Sequence, residues 1–336
     1  MTHRHPVMRD VARLAGVSHQ TVSRVVNGHP HVRPETRARV LDAMRALNYR
    51  RNLAARTLVT RRSRTLGVIA FQTTLFGPTS TLYGIEQAAR AAGYFVSVAS
   101  VRSLEREPVL EAVDRLCEQF VEGIVAIAPK SSAWPALAQI PPGLAAVAVG
   151  GTGEAAPAVA IDNVAGAAMA TRHLLSLGHR TVHHIPGPMD WPEARDRVKG
   201  WRGALHAAGA PIPAIHADDW SARSGYQQGL ALAADPEGTA IFCGNDQIAL
   251  GALRALHEMG RRVPQDVSVV GFDDVPESAY FSPPLTTVRQ DFAELGRRSL
   301  ELLMEQLEAG RRLDRQVLLS PQFVPRSSTG PPPVLP

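Results

Sequence analysis

The sequence predicts an all-α helix-turn-helix headpiece followed by an α/β body of two doubly wound parallel-sheet subdomains. Charge is the first observation behind this reading. Residues 1–64 hold 14 arginines against three acidic residues, a net charge of +11, whereas the remainder has a net charge of −6. A second is the run of short helical patterns broken by a glycine within that basic segment. A third is the alternation of apolar runs with helical stretches from Leu66 onward. A small basic unit on a mildly acidic body points to a polyanion bound at the front and a different task behind it.

In the basic segment, helices are expected near 8–15, 19–27 and 34–47. Gly16 supplies the first turn and Ser18 the N-cap of the second helix. Pro34 suits the first turn of the third, whose buried stripe is expected to be Val40, Leu41, Met44 and Leu47. In VSHQTVSRVVNG, residues 17–28, helical phase puts Val22, Val25 and Val26 on one face. Gln20, Arg24 and Asn27 gather roughly opposite. Three short helices with a tight turn between the first two describe a helix-turn-helix, whose second helix enters the DNA major groove. Gln20 and Arg24 then suit adenine and guanine edges, and His19, at the helix N-terminus, can reach a base too. Thr21, Ser23 and Asn27 suit phosphate contacts.

Residues 49–64, YRRNLAARTLVTRRSR, are too basic for a core helix and read as a linker with marginal helicity that orders on a partner. In the body, strands are expected at 66–71, 95–100, 123–128, 145–150, 181–187, 240–246 and 267–274. Helical stretches include 81–92, 107–120, 164–177, 193–208, 222–234 and 246–259. That is too many strands for one small doubly wound sheet, so two are expected, with a ligand cleft where their strand ends face each other. The start MTHRHPVMRD has no apolar core of a signal peptide, and no uninterrupted run of 18 apolar residues occurs, so a cytoplasmic, non-membrane protein is expected. Cys117 and Cys243 read as core residues rather than a disulfide or metal framework. No nucleotide-binding glycine motif or Ser/His/Asp set is signalled, so neither a cofactor nor enzyme activity is expected.

DVARLAGVSHQTVSRVVNG, RPETRARVLDAMRALNYRRNLAARTL, GNDQIALGALRAL, VSVVGFDD and PPLTTVRQDFAELG together resemble the LacI family of bacterial transcription regulators over nearly the whole chain. The resemblance implies a homodimer on a palindromic operator, with an effector, most often a sugar, held between two periplasmic-binding-protein-like subdomains. It implies a headpiece at 1–48 and a hinge at 49–63 in which Leu58 wedges into the minor groove. One subdomain is then 64–161 with 291–318, the other 162–290 with 319–330. Its effector positions supply what a sugar needs: Asp273 and Asn245 for hydroxyl groups, Arg197 as a forked donor, and Trp220 as a stacking plate. Gln290 and Phe292 fall at the cleft edge, and Leu75 and Pro78 in the apolar wall. The chain departs from the lactose-responsive pattern in MDWPEA, which puts a bulky ring, Trp191, and an acid, Glu193, into the cleft, and in His19. The resemblance implies a repressor of sugar-utilisation genes that a small sugar releases from its operator; the alternatives are a corepressor-type regulator of the same family responding to a non-sugar metabolite, and a sugar-binding protein without DNA binding. The C-terminal GPPPVLP cannot form a helix, so a dimer without a tetramerising tail is expected.

Overall fold

A computed structural model of the chain describes residues 6–50, 62–71, 74–103, 105–127, 137, 139–150 and 157–333. The expected wedge residue Leu58 lies outside the described residues, as does most of the hinge. The chain forms two compact units, residues 1–63 and 64–336.

The first unit contains helices α1 (Met8–Ala15), α2 (His19–Val26) and α3 (Pro34–Ala46). Gly16 closes α1 at φ +63°, a backbone conformation that favours glycine. The Ser18 hydroxyl then accepts the Thr21 N–H at 3.2 Å and caps α2. Val11, Val22, Val25, Val40 and Ala43 are buried together, so the apolar stripe of each helix meets the others. Leu41 departs from expectation. It is 42% exposed, and Ala43 takes its place in the core. Val40, Ala43 and Leu47 recur at three- and four-residue spacing, whereas Leu41 is turned about 100° from Val40.

The second unit holds two parallel sheets. The first has six strands in the order β10–β5–β4–β3–β1–β2: β1 (Thr65–Phe71), β2 (Phe95–Val101), β3 (Gly123–Ile127), β4 (Ala145–Val149), β5 (Ala158–Ile161) and β10 (Gln316–Leu319). Helices α4 (Phe76–Ala91), α5 (Arg106–Glu118) and α10 (Phe292–Ala309) pack on it. Its central strands are buried on both faces, which is why they read as continuous apolar runs. The second sheet has β6 (His183–Ile185), β7 (Ala240–Cys243) and β8 (Ser268–Val270) in parallel. Single bridges add β9 (Thr287–Arg289) alongside β8, and β11 (Gln322–Val324) runs antiparallel to β9. Around it lie α6 (Asn163–Ser176), α7 (Pro192–Ala207), α8 (Ala222–Ala234) and α9 (Asp246–Glu258).

The chain passes between the sheets three times: from β5 to α6, from β9 to α10, and from β10 to β11. Two passages are tied together, the Asp162 N–H donating to the Leu319 carbonyl at 2.8 Å.

Glycine brings three helix pairs into backbone contact. A Cβ on Gly225 of α8 would overlap the Ile248 carbonyl oxygen, and one on Gly251 of α9 would overlap that of Ala222. Gly84 of α4 and Gly296 of α10 abut in the same way, and Gly200 of α7 meets the Val164 carbonyl of α6. Cys243 is buried in the core and Cys117 packs against it half-buried, burial raising both thiols above their ordinary pKa. No helix among the described residues is long and apolar enough to cross a membrane.

Candidate functional site

On the first unit, α2 presents His19, Gln20, Arg24 and Asn27 exposed, with Thr21 and Ser23 half-buried beside them. Val22 and Val25 hold the opposite face in the core. The Thr21 hydroxyl lies 2.9 Å from Ser18 Oγ, and the Asn27 amide donates to Ser23 Oγ at 3.3 Å, so the polar flank is ordered by its own contacts. Gln20 and Arg24 project from that surface four residues apart, one turn of helix.

The second unit carries a cavity of about 160 Å³ at the carboxyl ends of the strands of both sheets. This is room for far more than one water molecule. From the six-stranded sheet, the chain after β1 contributes Leu75 and Pro78, and Phe292 begins α10. Pro78 sits in the first turn of α4, which starts five residues earlier than expected. A proline is tolerated there because the first N–H groups of a helix have no intrahelical partner. Phe76 meets Phe292 edge-on at 5.7 Å and closes this apolar side.

The polar side comes from the second sheet. Arg197, buried on α7, donates through Nε to Asn163 Oδ1 at 2.8 Å and through Nη1 to the Gly244 carbonyl. Its Nη2 lies 3.7 Å from Asp273 Oδ1, and its guanidinium covers the Phe272 ring at 3.9 Å. Gln290 donates to the same Asp273 oxygen at 2.6 Å. Burial pushes the Asp273 carboxyl up to about 6, while Arg197 and Gln290 oppose the rise.

Asp273 sits at φ +112° and Asp274 at +56°, conformations that cost an aspartate strain energy. Buried Asp246 holds the loop in place by accepting the Val275 N–H at 2.8 Å and the Thr287 hydroxyl at 2.6 Å. Asp274 pairs with Arg289 and Arg326, each at 2.6 Å. Asn245 caps α9, accepting the Ile248 N–H at 2.7 Å, and donates to the Trp220 carbonyl at 3.2 Å. The Trp220 indole lies against Gly187, where a Cβ would overlap the ring, and Trp191 meets it edge-on at 5.6 Å. Glu193, in the first turn of α7, has its carboxyl pushed up to about 8 by burial.

All ten residues expected at the effector site line this one cavity. Sequence reasoning missed Asn163, Thr81 and Gln247, which line it as well. Asn163 follows the end of β5, the same signal that agreed with the resemblance at Asn245 and Asp273.

Residues 7–52 match the model of bacterial regulatory proteins of the lacI family, and 171–329 match that of the periplasmic binding protein-like domain. The lactose operon repressor of Escherichia coli (strain K12) is 36% identical over 336 residues, covering 95% of this chain and 89% of that protein. The chain belongs to the LacI family. Its members regulate transcription by binding DNA, and the relatives it matches are repressors rather than enzymes. The structure resembles the lac repressor dimer bound to operator and the anti-inducer ONPF, with a TM-score of 0.88 at 35% identity, covering 97% of this chain and 100% of that one. It also resembles a complex of the transcriptional regulator CelR with cellobiose, with a TM-score of 0.69 at 30% identity, covering 96% and 99%. The LacI-family body is thus two periplasmic-binding-protein-like sheets with the cavity at their facing strand ends.

Proposed function

We propose that this LacI-family protein is a cytoplasmic repressor of sugar-utilisation genes that binds a palindromic operator as a homodimer and releases it when a small sugar fills the cavity. One observation carries the effector reading: a forked donor, two carboxyl groups, four amides and two indoles converge on one cavity from the strand ends of two sheets. The subdomains are 64–161 with 291–318 and 162–290 with 319–330, so a ligand touching both alters how they close, and it shifts the operator equilibrium by its difference in affinity for the two closures. Fluorescence anisotropy with DNA from upstream of the protein's own gene, titrated with a panel of mono- and disaccharides, tests this. At least one sugar should weaken binding more than tenfold. A protein that binds no upstream palindrome, or binds it equally with every sugar, refutes the reading.

On the DNA side, Gln20 and Arg24 read base edges with His19 beside them, Thr21, Ser23 and Asn27 hold phosphates, and Leu58 wedges into the minor groove at a central flexible step. Gln20→Ala and Arg24→Ala should each lose about 1–3 kcal/mol of discrimination at one base pair per half-site. Selection from a randomised operator library would detect it, and unchanged base preference would place the reading face elsewhere.

The second copy docks on the free edge of the six-stranded sheet, where β2 exposes Phe95 (61%) and Val98 (46%) beside Tyr83 of α4 (66%). Phe95→Asp combined with Val98→Asp should sediment as a single 36.2 kDa chain, half the mass of the parent. A double variant that remains dimeric would move the interface.

A further inference from the structure

Two buried polar atoms on the cavity wall have no hydrogen-bond partner among the described residues: Glu193 Oε2 and the Trp220 indole N–H. An unpaired buried donor or acceptor costs free energy that a ligand can recover. Both side chains are held in place. Gly150, at φ +96°, leaves room for the Glu193 carboxyl, since a Cβ there would come within 2.8 Å of Oε1. Trp220 is fixed between Gly187 and the edge of Trp191. A third group, Asp273 Oδ2, accepts no hydrogen bond from any described residue.

The charge of the wall points the same way. Glu193 and Asp273 are two carboxyl groups, and the cation among the lining residues, Arg197, is already engaged by Asn163, the Gly244 carbonyl and Asp273. Glu193 is uncharged when protonated, so an anionic ligand would be buried beside the Asp273 carboxylate while the Arg197 guanidinium is already shared among Asp273, Asn163 and the Gly244 carbonyl.

We propose that Glu193 and the Trp220 N–H form the pair that sets effector specificity, reading hydroxyl groups of an uncharged sugar and rejecting sugars that carry phosphate or carboxylate. This rests on the effector reading above and names the ligand class for that cavity. Glu193 is suited to the role because burial keeps its carboxyl protonated at neutral pH, able to donate and accept toward one hydroxyl group. The competing role for Glu193 is local, since it also walls an adjoining void of about 150 Å³ beside Asp196 and Lys199.

The test is calorimetric titration of the full chain with D-glucose, D-galactose, D-xylose, lactose and cellobiose, and with glucose 6-phosphate, galacturonate, xylonate, lactobionate and cellobionate as their respective acidic counterparts. An uncharged sugar should bind, its acidic counterpart at least tenfold more weakly. For the sugar that binds, Glu193→Leu and Trp220→Phe should each raise Kd at least fivefold. Glu193→Gln, which keeps an uncharged donor and acceptor, should stay within about threefold. Unfolding temperatures check that each variant is folded. Acidic sugars binding as tightly as uncharged ones, or folded Glu193→Leu and Trp220→Phe variants with parental affinity, overturn the specificity pair and leave the effector reading standing. No binding by any sugar overturns both.

Discussion

Arg197→Ala is expected to lower the stability of the second unit by about 3–5 kcal/mol, because it strips the counter-charge from a carboxylate that stays buried. Both side chains of the pair are nearly inaccessible, at 6% and 9% exposure, so water cannot take the missing partner's place. The same change removes the donor to Asn163 and the Gly244 carbonyl and uncovers the Phe272 ring. Thermal unfolding should show it as a fall of roughly 10 °C for a unit of this size. The effector response should disappear as well. Stability and response can be separated by replacing both partners with apolar residues of similar volume, Arg197→Met with Asp273→Leu. The double variant should recover much of the lost stability while remaining unresponsive to sugar. An Arg197→Ala protein that melts within about 2 °C of the parent would show that the pair contributes no net stability.

Gly251→Val should be comparably damaging for a different reason. Its Cβ would occupy the position of the Ala222 carbonyl oxygen, and that atom belongs to helix backbone, which cannot swing aside as a side chain would. Helices α8 and α9 would have to separate, and the buried contacts around Gly225 and Gly229 would open with them. The cost should reach the upper end of overpacking effects, about 3 kcal/mol. Urea unfolding would measure it as a lower midpoint at unchanged slope. Gly203 on α7 is the control: a Cβ there meets nothing, so Gly203→Ala should be neutral or slightly stabilising. If the two substitutions behave alike, the close helix approach is not what makes Gly251 matter.

The elements most legible in the sequence were those whose periodicity is set by one partner surface. The valine face of α2 and the continuous apolar runs of β1, β3 and β4 fall where expected, since each is dictated by burial on one or both sides. β5 and β9 were not anticipated as strands, and VLLSPQFVPRSST, which reads as one last strand, divides into β10 and β11. β9 is three residues long, and sheet pairing with distant segments defines it, not any local pattern. The glycines at helix crossings were equally hidden, because a glycine in a helical stretch looks like a weak point until the neighbouring backbone is seen against it. Leu41 misled because its apolar character was counted without its angular position.

The site was legible in two ways. The family resemblance marked Asn245 and Asp273, and their places just after apolar strand runs agreed with it, while Leu75, Pro78, Gln290 and Phe292 came from the resemblance with no local signal beside it. What neither route could supply was the support behind them: Asp246 locking the strained loop at Asp273, and Asn163 orienting Arg197 from a different helix. Those relations depend on which strand ends lie beside each other, and nothing short of the assembled sheets specifies that.

The three passages between the sheets have a consequence for the gene. Neither half of the second unit is encoded by one uninterrupted stretch, because α10 and β10 return to the first sheet after the whole of β6 to β9 has been built, and β11 then goes back to the second. A stop codon anywhere from 162 to 315 therefore removes the edge strand β10 from a sheet already synthesised, and neither half can be obtained by trimming from an end. To express one half alone, its two coding segments would have to be spliced across the gap left by the other.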